Sequence, residues 1–372
     1  MRTGTADLPL HGGRAPRWLF ERMTLLAREM SLAILEAEGT SGLMRRLADP
    51  VWFQAFGCVL GFDWHSSGLT TTACGALKEG LRQLASETGL YVAGGKGKTS
   101  RKTPQEIEAA CWNLGREPEP LVRASRLSAK VDSAAVQDGF QVYHHSFFFA
   151  SDGSWAVVQQ GMNESSGMAR RYHWLPPERF DWDPHAAIAG EPGQGVLNLV
   201  ASEGEGNRQI AVALASESPT KVLGELKQLR SLEMPRHHQV RLSDLHPDRL
   251  ARVLLSTYEK QPQDYTALLA VPGLGAKGLR ALALVAELTY GEPASVRDPV
   301  SYSFAHGGKD GTPFPVDRST YDATIESLRR AVSDARAGYS EKSAALRRLA
   351  GVERQFQATP TPARFESASV AG

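Results

Sequence analysis

The segment "GFQVYHHSFFFASDGSWAVVQQGMN" limits the fold of this chain more than any other. Two runs rich in Val, Tyr, Phe and Trp flank Ser151-Asp152-Gly153-Ser154, a turn sequence with a glycine where the backbone needs a positive φ. The pattern predicts a β-hairpin, and a hairpin alone is not stable in water. A sheet must therefore form inside a chain whose other segments read mostly as helices. Strict alternation places Gln141, Tyr143 and His145 on one face and His144 on the other, with Gln159 and Gln160 in the returning strand. Lys130 and Asp132 immediately precede the hairpin. Polar side chains among Phe147, Phe148, Val157 and Val158 need partners once buried. The cluster reads equally as a structural hydrogen-bond network and as a site where a histidine or a metal activates water for phosphodiester hydrolysis.

Around the hairpin the periodicity is helical. "APRWLFERMTLLAREMSLAILEAEG" predicts a long helix ended by Gly39, "DPVWFQAFGCVLG" a short apolar one, and "LTTTACGALKEGLRQLASETG" a third that stops at Gly89. The block up to about residue 125 reads as helices joined by long loops. "LNLVASEGEGNRQIAVALASE" predicts a second pair of strands around an acidic turn, and "ERFDWDPHAAIAGEPGQG" before it reads as loop. The final "QATPTPARFESASVAG" has the composition of a disordered tail.

The second constraining feature is "DYTALLAVPGLGAKGLRALALVAELTYG". One helix runs to about Ala270 and another from about Ala276 to Tyr290, with Gly291 as its C-cap. Gly273 and Gly275 permit a turn around Leu274 that presents backbone N–H groups at a helix N-terminus, a geometry that binds phosphate. Lys277 and Arg280 add cations in the first turn of that helix. The stretch resembles the helix-hairpin-helix motif of DNA-repair proteins, with the pattern hydrophobic, Pro, Gly, hydrophobic, Gly. Members of that group that act as glycosylase-lyases place a lysine just after the second glycine and an aspartate in a Val-Asp context. Lys277 and Asp317 match those positions, although the insertion "DPVSYSFAHGGKDGTP" is longer than the usual interval. The competing reading of the glycines is an ordinary packing turn, that of Lys277 a phosphate contact alone, and that of Asp317 a helix N-cap.

Two further polar clusters sit in apolar surroundings, one around Asp7, His11 and Arg14, the other around Asp63, His65, Ser66 and Ser67. Carboxylate and imidazole at such spacings ligate a metal or share a proton, and they equally cap helices. Asp63, His65 and His145 form the candidate metal set, with Mg²⁺ or Mn²⁺ as the expected ion and no organic cofactor. "YVAGGKGKTSRKTP" lacks the glycine a phosphate-binding loop needs at Val92. It reads as a flexible basic loop whose Lys96 and Lys98 touch a nucleic-acid backbone. The three cysteines are an odd count with no CxxC spacing, which argues against a zinc knuckle and a disulfide framework. With a net charge of +1, any nucleic-acid surface must be local.

"RTGTADLPLHGGRAPRWLFERM", "GFDWHSSGLTTTACGALKEGL", "SRLSAKVDSAAVQDGFQVYHHSFFF", "VVQQGMN" and "YSFAHGGKDGTPFPVDRSTYD" together resemble the DUF763 family, a domain of unknown function. The resemblance runs from residue 2 to about residue 350. It implies an N-terminal region related to ParB-like nuclease folds joined to a C-terminal helix-hairpin-helix region, and assigns no residue a role.

The expected fold is α+β. A mixed α/β portion with β-hairpins spans residues 1–235, an all-α helix-hairpin-helix domain spans 236–355, and a tail spans 356–372. The expected function is a DNA nuclease, metal-dependent, in DNA processing or repair. His11, Asp63, His65, Lys130, Asp132, His145 and Gln159 form its candidate catalytic set. Gly273, Leu274, Gly275, Lys277, Arg280, Lys96 and Lys98 form its DNA contacts. A glycosylase or AP lyase using Lys277 and Asp317, and a DNA-binding protein without catalysis, are the alternatives. The expected partner is DNA, a homodimer is compatible with the sequence, no segment has membrane-spanning character, and the expected location is the cytoplasm.

Overall fold

The computed structural model describes residues 16–62, 67–193, 195–229, 247–301 and 318–357. The fold is α+β, with one antiparallel five-stranded sheet covered on both faces by helices. Among the described residues, no helix is long and apolar enough to cross a membrane.

Helix α1 (Arg17–Leu47) breaks at Gly39, where φ is +67°, and resumes in a new direction. In α2 (Pro50–Leu60) proline occupies the first turn, the Asp49 carboxylate caps the N–H groups of Val51 and Trp52, and Gly61 closes the helix at φ +117°. Helix α3 (Gly68–Leu81) leads through a short 3-10 turn into α4 (Ala85–Thr88), stopped by Gly89. Strand β1 (Leu90–Lys96) follows, inside a block whose composition reads as helix and loop. A 3-10 turn over Gly97–Lys102 leads to α5 (Thr103–Leu114) and α6 (Glu119–Lys130). One turn of π-helix, Val131–Ala135, carries α6 into the two-residue strand β2 (Val136–Gln137).

The hairpin is β3 (Gln141–Ala150) and β4 (Trp155–Asn163). Its turn has Gly153 at φ +89°, and the Asp152 carboxylate accepts from the N–H and the hydroxyl of Ser154. Strands β5 (Met168–Trp174) and β6 (Ala187–Ala189) extend the sheet on one side and β1 closes it on the other, in the order β1-β3-β4-β5-β6. Strand β7 (Leu197–Asn198) pairs with β2 instead.

Three expectations need correction. The alternation of β3 is interrupted by a bulge between Val142 and His144, so the hydroxyl of Tyr143 meets Gln160, on the opposite face from His145. Residues 199–216 form no strand pair: they turn through Ser202–Gly204 into helix α7 (Glu205–Ser216). There Asn207, Arg208, Ala211, Leu214 and Ala215 are buried at helical spacing, and glutamates at residues 203 and 205 suit the positive end of a helix. The stretch 178–195, read as loop, contains β6.

Helices α8 (Pro219–Leu229), α9 (Pro247–Lys260), α10 (Tyr265–Leu269), α11 (Ala276–Tyr290), α12 (Arg318–Asp334) and α13 (Tyr339–Gln357) complete the chain. They divide between the two faces. Helices α5, α6, α7, α10 and α11 share the core that contains Phe147, Phe149, Val157 and Trp174. Helices α1, α2, α3, α12 and α13 share the core that contains Phe148, Ala150, Ala156 and Val158. Elements from both sides of residue 235 therefore meet in each core.

Candidate functional site

The turn between α10 and α11 begins from a firm anchor. Asp264 caps α10 by accepting the Ala267 N–H at 2.6 Å. Leu268, Leu269, Val271, Leu274, Leu279 and Leu282 are all buried. Leu274 thus plugs the turn into the core, while Pro272, Gly273, Gly275 and Lys277 stay exposed. The two flanking glycines differ. Gly273 has φ +82°, which only glycine adopts at little cost. Gly275 has φ −96° and ψ −171°, an extended conformation open to any residue. Among the described residues, a Cβ at either position would meet nothing within 4 Å. No described residue and no positive φ requires glycine at 275, which serves as the N-cap of α11. Gly275, as the N-cap of α11, has no side chain with which to cap the helix.

The turn is held from below. The Lys130 ammonium, at the end of α6, donates to the carbonyl of Leu274, and burial pulls its pKa down. Gln137 donates to the carbonyl of Ala276 at 2.9 Å and accepts from the Arg280 guanidinium at 2.6 Å. Of the expected DNA contacts, Gly273, Leu274, Gly275, Lys277 and Arg280 therefore lie in one rigid unit with Lys130. Lys96 and Lys98 belong to another element, the end of β1 and the turn after it. The Lys96 ammonium lies 5.7 Å from the centre of the Tyr143 ring, and Lys98 is exposed.

Beneath the same face of the sheet runs a buried polar chain centred on Asp132, within the π-helical turn. Its carboxylate accepts from Gln159 Nε2 at 2.5 Å, Trp174 Nε1 at 2.9 Å and His185 Nε2 at 2.5 Å. A carboxylate only accepts, so Gln159 turns its NH₂ to Asp132 and its Oε1 to His145 Nδ1, 2.9 Å away. His145 Nδ1 must then carry the proton, and Nε2 accepts from the Ser125 hydroxyl at 2.9 Å. Burial pushes the Asp132 carboxyl above the usual range, offset in part by His185 and Trp174. Burial pulls His145 down to about 4, against the bond to Gln159. The expected set thus divides: Asp132, Gln159 and His145 are joined in one network, while Lys130 turns away to Leu274. His11, Asp63, His65 and Asp317 lie outside the described residues. Among the described residues, no group of three or more His, Cys, Asp or Glu side chains is placed to hold a metal ion.

Four participants escaped the sequence reading. Ser125 and Trp174 are of types normally assigned to packing. His185 sits 53 residues from Asp132 in a stretch without periodicity, and its side chain keeps 6 % exposure. Arg170 is fully buried and joins Asp138 at 2.8 Å and both oxygens of Asp298 at 3.2 and 2.8 Å. The doublet "RR" between apolar strand residues was the available signal for it.

On the other face, Arg171 is equally buried but, among the described residues, bonds to neutral groups only: Gln54 Oε1 at 2.8 Å, Thr70 Oγ1 at 3.3 Å, the Pro50 carbonyl at 3.2 Å and His173 Nε2 at 2.8 Å. Burial lowers its pKa to about 9. Beside it in register lie Gln160 and His144. Gln160 donates to the carbonyl of Ser67 and to Tyr143, and His144 Nε2 meets the Ser146 hydroxyl at 3.1 Å. Burial holds the Cys74 thiol at about 12, so it is no thiolate nucleophile near neutrality.

Residues 4–316 match the family model of DUF763, described as a protein of unknown function, and the chain belongs to that family. No curated protein and no solved structure matches it.

Proposed function

We propose that this protein binds DNA by backbone phosphate contacts at the glycine turn between α10 and α11. The observation that supports this reading is Gly275: its backbone is extended, and among the described residues nothing lies within 4 Å of where a Cβ would stand. A bare, exposed backbone with no described neighbour on that side leaves room for a phosphate. The N-terminus of α11 opens at this exposed turn and suits an anion, and Lys277 in the first helical turn adds charge. The test is Gly275→Val. The backbone accepts valine, so the variant should fold and lose no more than about 1 kcal/mol of stability. Its affinity for duplex DNA should fall about tenfold, the equivalent of roughly 1.4 kcal/mol of lost phosphate contact. A folded variant with unchanged affinity would sink the proposal.

A hydrolytic role on the same DNA is the second reading, and one observation favours it. Asp132 receives His185 Nε2–H, which fixes the imidazole tautomer and leaves Nδ1 as the basic nitrogen. A carboxylate-held imidazole that retains solvent exposure can take a proton from water attacking a phosphodiester. On this reading His185→Gln abolishes cleavage of labelled DNA, in Mg²⁺ or Mn²⁺, and leaves affinity unchanged. Equal cleavage by wild type and variant would remove His185 from the chemistry.

A further inference from the structure

We infer that the outward face of α6 continues the DNA contact away from the glycine turn, so that one strand of a duplex lies along Arg126 and Arg123. This rests on the reading of the turn as a phosphate contact and extends it to a surface.

The rotation of α6 is fixed from inside. Leu121, Val122, Ala124, Ser125, Leu127 and Ser128 are buried, and Ser125 is bonded to His145. Arg123 and Arg126 must therefore point outward, and both are exposed. They precede Lys130 by seven and four residues, a spacing that puts all three on one side of the helix. Lys130 ends that row with its ammonium on the carbonyl of Leu274, inside the glycine turn. The bonds of Gln137 to Ala276 and Arg280 lock the following segment to α11. The two arginines thus stand at a fixed place relative to the turn.

Some exposed arginines of this surface are paired with acids. Arg82 pairs with Glu79, Arg297 with Glu203, and Arg329 with Glu353. Among the described residues, neither Arg123 nor Arg126 has an ion pair or a hydrogen bond. The one acid on the exposed side of α6 is Glu119, at the end remote from the turn. From Arg123 to Lys130 the helix rises about 10 Å, which matches roughly three phosphate steps along one strand of a duplex. Unpaired guanidiniums at that spacing, leading to a phosphate-binding turn, fit the backbone of duplex DNA in charge and in pitch. They read no sequence.

The experiment compares full-length wild type with Arg123→Gln/Arg126→Gln, with Gly275→Val, and with the control Arg347→Gln/Arg354→Gln. The control removes two exposed charges from α13, on the opposite side of the sheet. Affinity for a short duplex is measured across a salt series. Loss of two phosphate contacts should lower the slope of log K against log salt by about 1.8 in the α6 variant, while the control keeps the wild-type slope. An unchanged slope in the α6 variant, with binding lost in Gly275→Val, overturns the α6 track and leaves the turn standing. Equal losses in the α6 variant and the control overturn it as well, because net charge alone would then explain binding. Unaltered binding by Gly275→Val removes the turn, and the track as its continuation falls too.

Discussion

Arg170 and Arg171 are neighbours in β5, both fully buried, and they are held in opposite ways. Arg170 faces two aspartates, and although burial works against its charge, Asp138 and Asp298 outweigh that and raise its pKa. Arg171 faces amide, hydroxyl, carbonyl and imidazole groups, and burial lowers its pKa unopposed by any carboxylate among the described residues. The same contrast runs across the sheet. His145 and Gln159 join a chain that ends on the carboxylate of Asp132. In their neighbours His144 and Gln160, by contrast, Nδ1 and Oε1 have no partner among the described residues. One face of the sheet compensates its buried charge, and the other carries it on neutral dipoles. Like residues in a doublet therefore do different work: an alternating strand sends them to opposite cores, and each core decides whether a charge is neutralised or merely solvated by protein.

Substitution is the strongest way to test that contrast. Arg170→Met should destabilise the protein by about 3–5 kcal/mol in denaturant titration, because it strands two buried carboxylates. A loss under about 1 kcal/mol would mean that Asp138 and Asp298 are not charged partners. Acid comes next. His145 titrates at about 4 in the folded chain and His144 at about 3, whereas unfolded histidine titrates near 6.5. The unfolded chain binds these protons first, so their contribution is complete above about pH 6.5 and is lost as pH falls towards 4. The loss for His145 alone is of order 3 kcal/mol. His145→Gln should flatten the dependence of melting temperature on pH across that window, and an unaltered pH profile would refute the burial argument. Arg171→Met should cost less than Arg170→Met, about 1–2 kcal/mol, since it leaves only neutral acceptors behind. If the two methionine variants prove equal, the distinction between the faces fails. The smallest effect belongs to Ser125→Ala, about 1 kcal/mol for the hydroxyl that His145 Nε2 accepts. No change there would detach Ser125 from the network.

Local patterns carried much of this fold. The hairpin, the break at Gly39, the stop at Gly89, and the span Ala276–Tyr290 with Gly291 as its cap each depend on residues within a turn or two of one another. The fold class follows from the same signals. The glycine turn was legible too, although the fact that no described residue packs against Gly275 was not. What escaped depends on distance along the chain or on a single extra residue. One bulged residue in β3 moved Tyr143 to the other face. The partners of Arg170 lie 32 and 128 residues away, beyond any periodicity. The helical character of 205–216 was hidden by glycines and glutamates that suit a turn as well as a helix start. Asp132, Gln159 and His145 stood out as polar residues among apolar ones, but the bonds among them needed the π-helical turn, which no residue pattern marks.

The division of late helices between the two faces also bears on how the chain is made. On a ribosome, α1, α2 and α3 emerge before the sheet, and their apolar side is completed by Ile325, Leu328, Val332 and Leu349, which emerge only after it. Between Leu60 and Leu328 the ribosome adds residues for some tens of seconds at roughly 5–20 per second. Throughout that interval the nascent chain carries a half-built hydrophobic surface that includes Trp52, Phe53 and Phe56. Such a surface invites chaperone capture, and slowing or truncating synthesis before α12 should send the product to aggregates rather than to a smaller folded species.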